Sequence, residues 1–272
     1  MIETLDIPKM DDSDSPKAGS SLDFLVFPGQ ITVQMPLLIK QGRTPISIYE
    51  LARQKLIIRD IYRNVTRNPH QYPESFRREI RKKYDLLWNK LYDTGDMWLS
   101  QSTIQGSKGK LVLYNADVLE FLKRNLNPQS RLTSGYLTLD GELQGAYDSF
   151  TGNNVLELNP AEISKFFNKL STRQEAKESP FWRLALGDLK DDYIDAVFLD
   201  GKEKFGYREM MQVRVTRIAD DVPTGTLFYI TSLYGRSCAS TMSFLERKTN
   251  RLVGVAPGAS TPRKPAVLEQ MV

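Results

Sequence analysis

One histidine and one cysteine are all that these 272 residues offer to imidazole or thiol chemistry. A disulfide within the chain is impossible, and a zinc site of Cys and His ligands cannot be assembled. A Ser-His-Asp or Cys-His nucleophile would have to use His70, which stands in "RNPHQYP" between two prolines and reads as a loop residue. No apolar run approaches the ~20 residues needed to span a bilayer. The N-terminal "MIETLDIPKMDDSDSPKAGSS" is acidic and polar, without the apolar stretch of a signal peptide. These absences predict an intracellular chain with no membrane insertion. No phosphate-binding loop is present either: "GSKGK" (106–110) lacks the terminal Ser or Thr and the preceding strand of a Walker motif, and reads as a flexible turn. Proton transfer would fall to Asp, Glu, Lys or Tyr. The expectation is a protein that is not an enzyme and holds no metal or cofactor.

What is present is ordinary for a globular protein: 40% apolar and 26% charged residues, a net charge of +4 and a pI near 9.0. The mild basicity permits an acidic partner, nucleic acid or protein. Residues 1–22, rich in Asp, Ser, Pro and Gly, read as a disordered arm. "DFLVFPGQITVQMPLLIKQG" (23–42) reads as extended structure broken at Pro28-Gly29 and Pro36. Two amphipathic helices follow. The first carries Ile48, Leu51, Ile58 and Tyr62 on one face. The second runs from Pro73 to about Gly95, with Phe76, Ile80, Tyr84, Leu87 and Leu91 stepping by three and four.

Further on, "KGKLVLYN" reads as a strand and "ADVLEFLKRNLN" as a helix. Asp140-Gly141 and Asp200-Gly201 each suit a two-residue hairpin turn. Asn159, Pro160 and Glu162 form the start of another helix with a capping box, closed by "STRQEAKES". The last part reads as strand (212–218), strand (226–233), helix (237–249) and strand (251–256). The fold class is therefore α+β: a mixed region over 23–190 led by two helices, a β-rich region over 191–257 ending in a β-β-α-β unit, and a flexible tail over 258–272.

Two chemical constellations stand out. In "DDYIDAVFLDGKEKF", Asp200 and Lys202 have the carboxylate–x–lysine spacing of metal-dependent nucleases, with Asp191, Asp192 or Asp195 upstream. The competing reading makes Asp200-Gly201 a turn with Lys202 solvated. The other is a basic surface: Arg59, Arg63 and Arg67 step by four, and "FRREIRKKY" adds Arg77, Arg78 and Arg81. Such faces could neutralise phosphates, or could simply solvate the outer side of two helices, with Glu79 and Asp85 tempering the field.

In "STMSFLERKTNRLVGV" (240–255), Met242 and Leu245 are three apart, and Asn250 suits the left-handed turn into "RLVGV". Over about residues 211–257 the expected order and the positions Met242, Leu245, Arg247, Asn250, Arg251, Leu252, Val253 and Val255 resemble the CpcD-type capping domain of phycobilisome linker polypeptides. Tyr229, Tyr234 and "VRVTRI" also fit. Phe244 stands where that family has a polar residue, and Thr249 where it commonly has glycine. The resemblance implies a structural linker that binds acidic phycobiliproteins through contacts at Tyr229, Tyr234, Arg247 and Arg251, in the cytoplasm or on the cytoplasmic face of a thylakoid membrane. A basic nucleic-acid-associated structural protein, of viral or phage type, and a metal-dependent nuclease stay open as alternatives.

Overall fold

The computed structural model describes residues 3–5, 24–103, 106–138, 142–215, 224–242 and 244–256. The chain is α+β, three layers deep, with one mixed sheet between two sets of helices.

Strand β1 (Glu3–Leu5) pairs antiparallel with β2 (Phe24–Pro28), so residues 3–5 of the expected disordered arm belong to the sheet. The extended reading of 23–42 holds only for β2. Residues Ile31–Lys40 form α1, with Pro36 inside it. Pro36 removes one backbone bond, yet Ile31, Met35 and Leu38 step along one face into the core and hold the helix. After β3 (Thr44–Pro45) comes α2 (Ile48–Arg67), capped by the Ser47 hydroxyl accepting from the Glu50 N–H. The second long helix, α3 (Glu74–Asn89), stops short of Gly95. From Tyr92 the chain is the central strand β4 (Tyr92–Thr103), buried on both faces, so Leu91 and Gly95 are not helical.

Strand β5 (Gly106–Val112) pairs with β4, which places "GSKGK" in the ladder rather than in a turn. Helix α4 (Ala116–Asn125) forms as its apolar spacing predicts. The next hairpin joins β6 (Leu132–Thr133) to β7 (Tyr136–Leu137), and Glu142–Ser149 is α5. Residues 142–147 are thus helical, not the second strand of a hairpin; Asp140-Gly141 itself lies outside the described residues. Strand β8 (Val155–Leu158) pairs with β5. Helices α6 (Pro160–Phe166) and α7 (Arg173–Glu178) each start with a complete capping box, Asn159/Glu162 and Thr172/Glu175. Thus "STRQEAKES" is a helix of its own. Then α8 (Pro180–Leu186) leads through a 3-10 turn into α9 (Lys190–Phe205).

Helix α9 replaces the expected Asp200-Gly201 hairpin. Tyr193, Ile194, Val197 and Phe198 bury one helical face. Gly201 continues that face at a point where an added Cβ would collide with the Met210 sulfur. The glycine serves close approach, not a turn.

The end of the chain gives β9 (Val213–Arg214), β10 (Thr224–Ile230), β11 (Ala239–Ser240) and β12 (Arg251–Val255). Residues 216–218 of the expected strand lie outside the described residues. No helix occupies 237–249 among the described residues. Ser237, Cys238, Ala239, Ser240 and Thr241 are buried in succession, a strand's pattern between two neighbours, while Met242 is half exposed. Thr231 N–H donates to the Cys238 carbonyl, and the Ala239 and Thr241 N–H groups donate to the Gln212 and Arg214 carbonyls.

The sheet's main path is β1-β2-β12-β4-β10-β11-β9. β12 lies between β2 and β4, and β4 separates it from β10, so 211–257 is not a self-contained β-β-α-β unit. Period-2 alternation sorts its side chains. Phe24, Val26, Trp98, Phe228, Val253 and Val255 face the layer of α2, α3, α8 and α9. Phe27, Met97, Leu99, Leu227 and Leu252 face α1, α4 and α5. Among the described residues no helix is long and apolar enough to cross a membrane.

Candidate interaction surface

The connection from β10 to β11 is short, and backbone bonds fix it. Leu233 is buried, its N–H donating to the carbonyl of Trp88 in the last turn of α3 at 2.5 Å. The Ser232 hydroxyl accepts from Gly235 N–H, and Thr231 Oγ1 accepts from Cys238 N–H. Arg236 and Ser237 both take positive φ, 63° and 48°, and Met211 does so at 55°. These three meet: Met211 N–H donates to the Arg236 carbonyl at 2.9 Å, and the Trp182 indole N–H donates to the Met211 carbonyl at 2.9 Å. Left-handed backbone costs a non-glycine residue roughly 1–2 kcal/mol, and such strain clusters where a chain is held for a purpose.

The strained node displays an aromatic ridge. Tyr234 is 71% exposed and Phe205 38%. Their rings meet edge to face at 5.7 Å, Phe205 stacks on Tyr207 at 5.2 Å, and the Arg236 guanidinium lies 4.9 Å over the Tyr207 ring. The Tyr207 hydroxyl donates to the Tyr234 carbonyl at 3.2 Å. Gly206 makes this possible: at φ 69° it ends α9 in the left-handed cap and turns Tyr207 back onto the last turn, its N–H bonded to Gly201.

The four predicted contact residues are not gathered in one place. Tyr234 belongs to the ridge. Tyr229 is half-buried on β10, opposite Asp93 and Ser240. Arg247 is exposed with its guanidinium 5.3 Å over Phe244, whose ring meets Tyr136 of the β6–β7 hairpin. Arg251 contributes its backbone, an N–H donated to Asp93 Oδ2 at 2.7 Å. Asp93 is fully buried in the middle of the sheet, and desolvation pushes its carboxyl up to about 6, against the pull of that N–H and of Arg247.

The basic patch divides. Arg59 and Arg63 turn inward to Asp200, which is 2% exposed. Arg59 Nε donates to both carboxylate oxygens at 3.0 and 3.1 Å, and Arg63 donates to Oδ1 at 2.8 Å. The Tyr84 hydroxyl donates at 2.8 Å and in turn accepts from Lys204 at 3.0 Å. Burial and the Asp200 charge raise the Tyr84 hydroxyl well above its ordinary value. Arg67, Arg78 and Arg81 are exposed and Arg77 is half-buried, with Arg78 paired to Glu74.

Asp200 is therefore the carboxylate of a buried arginine network, and Lys202, two residues on along a helix, points to solvent. The nuclease spacing does not become a site. Asp195 pairs with Arg173 and Lys177, and no group of three His, Cys, Asp or Glu among the described residues could hold a metal ion.

A cavity of about 320 Å³ lies where α2 and α4 begin, lined by Thr44, Ser47, Tyr49, Glu50, Asp96 and Tyr114. Of its two buried carboxylates, Glu50 and Asp96, Asp96 accepts from Ile48 N–H at 2.5 Å and Tyr114 N–H at 2.8 Å. The anion that helix starts favour is thus supplied by the protein itself. Neither Asp93 nor Asp96, both in "DTGD", has a sequence signal of its own; isolated acids in a polar-looking stretch read as surface.

No family model matches the chain, and no curated protein matches it. A solved structure described as "Accommodation of massive sequence variation in Nanoarchaeota by the C-type lectin fold" is similar over 86% of this chain and 97% of its own, with a TM-score of 0.54 and 12% identity. That likeness concerns the fold: the chain's architecture is similar to a C-type lectin fold.

Proposed function

We propose that this chain is a non-enzymatic recognition or assembly protein that binds another macromolecule through the ridge of Phe205, Tyr207, Tyr234 and Arg236. The observation that carries the reading is the exposure of Tyr234 on a loop held by three left-handed non-glycine residues. Exposed aromatics and arginines dominate binding energy when an interface desolvates them. A side chain held in place before binding loses little entropy in the complex. The neighbour's description speaks of a fold that accommodates massive sequence variation, a property suited to scaffolds whose surface loops recognise and whose core does not change.

A role in assembly is shared with the phycobilisome linkers, although no helix occupies 237–249 among the described residues. The test is a photo-crosslinking residue at position 234 or, as a control, at exposed Lys123, in the native host. Adducts formed at 234 and absent at 123 support the reading; equal labelling at both, or none at 234, rejects it. Visible bilin bands in the natively isolated complex would identify a phycobiliprotein partner.

A further inference from the structure

We infer that the ridge takes an acidic polypeptide segment, one that places carboxylates beside an apolar or aromatic side chain. This inference rests on the surface reading above and names the chemistry of its partner. The ridge offers two kinds of contact side by side. Phe205 and Tyr234 present ring edges and faces to solvent. The Arg236 guanidinium carbon lies 4.9 Å over the Tyr207 ring centre, and exposed Arg208 follows Tyr207 by one residue. Neither arginine has a carboxylate partner among the described residues, whereas Arg63 and Lys204 at this end of α9 are engaged. Arg63 holds Asp200 and Glu203, and Lys204 donates to Tyr84 while lying 4.2 Å over its ring. An arginine stacked on an aromatic ring loses less freedom on forming a bidentate carboxylate pair than a free lysine does. Arg236 is therefore the anchor for a carboxylate, and Tyr234 with Phe205 the platform for the neighbouring side chain.

A polypeptide fits better than a nucleic acid. Exposed Glu203 and Glu209 stand on either side of Lys204 and Arg208, and Asp85 lies beside Lys204. A phosphate backbone carries a charge at every step and would meet these carboxylates. A peptide can set single carboxylates against Arg236 and Arg208 and leave neutral residues opposite the glutamates.

The experiment titrates the full chain, by fluorescence anisotropy at low and at physiological salt, with three labelled probes. They are a random Glu/Tyr copolymer, a random Lys/Tyr copolymer and a single-stranded oligothymidylate. The expected result is binding of the Glu/Tyr copolymer only, weakened about tenfold or more by Tyr234→Ala and by Arg236→Ala and unchanged by Lys123→Ala. Circular dichroism and unfolding midpoints check that the variants fold, and exposed Tyr234→Ala carries the test if Arg236→Ala does not. No binding of the Glu/Tyr copolymer overturns the inference. So does equal weakening by Lys123→Ala, which marks diffuse charge attraction, or tighter, Tyr234-dependent binding of the oligothymidylate. The crosslinking experiment separates the two readings. A neutral or basic segment captured at 234 ends the acidic-partner inference and leaves the surface reading standing; no adduct at 234 ends the surface reading itself.

Discussion

Arg59 on α2 and Asp200 on α9, separated by 141 positions, form a buried ion pair in which the Arg59 Nε–H is shared between both carboxylate oxygens at 3.0 and 3.1 Å and Nη2 lies 3.0 Å from Oδ1. With Arg63 and Tyr84 the same carboxylate ties α2, α3 and α9 together. A residue with catalytic spacing and a residue with phosphate-binding spacing are thus each other's partners.

Removing the carboxylate leaves the buried Arg59 guanidinium with only the exposed Asp60, 3.5 Å away, as an acidic partner among the described residues. Asp200→Ala is expected to destabilise the fold by roughly 3–5 kcal/mol, whereas exposed Lys202→Ala should stay within about 0.5 kcal/mol. Urea unfolding of the two variants decides; equal, small effects would show that the network is not structural.

Ser237 is fully buried at φ 48° and its hydroxyl has no hydrogen-bond partner among the described residues. Ser237→Gly should relieve both penalties and raise stability by about 1 kcal/mol. A lowered melting temperature would mean that the left-handed backbone there is not strained.

Gly201 has no room for a methyl group beneath Met210. Gly201→Ala should therefore cost about 1–3 kcal/mol, and adding Met210→Ala should return part of it. A neutral Gly201→Ala would be compatible with a turn at this position and not with the packed helix.

Lys55 is completely buried, its ammonium nitrogen 5.3 Å from the Trp88 ring centre, and burial lowers its amine to about 7. The unfolded chain holds this proton up to about pH 10.4, so between those values it binds more protons than the folded one. Stability contributed here rises with pH across that window and is at its lowest below it. Lys55→Met should flatten the rise and stabilise the protein at pH 7 by a few kcal/mol, roughly 2–4. An unchanged pH profile from 7 to 10 would refute this.

Asp93 behaves in the opposite sense. Its carboxyl is raised to about 6 in the fold from about 3.9 unfolded, so its contribution is fully present below about pH 4 and is lost as pH rises through 6. Asp93→Asn keeps an oxygen for the Arg251 N–H and removes the charge. It should flatten stability between pH 4 and 6 and add about 1–2 kcal/mol at pH 7. Denaturant titrations across that range measure it; a loss at pH 7 would assign the ionised form a stabilising role.

The sequence by itself determined the elements whose signals are local. The three-and-four spacing of Ile80, Tyr84 and Leu87 makes α3, Ser47 and the Asn159/Glu162 pair start α2 and α6, and short, nearly continuous apolar runs make β2, β10 and β12. Tertiary structure decided the rest, because the deciding partners lie far along the chain. Asp200-Gly201 carries a hairpin signal, but the face formed by Tyr193, Val197 and Gly201 buries more as a helix against Met210. Residues 237–241 could alternate between helix and strand on sequence alone, and the free edges offered by β10 and by Gln212 and Arg214 select the strand. The place of β12 beside β2 and β4 set Arg251 on Asp93, 158 positions away, and the packing of α2 on α9 turned Arg59 and Arg63 from a surface into a core. Composition states that an arginine is charged; only the fold states which carboxylate it faces.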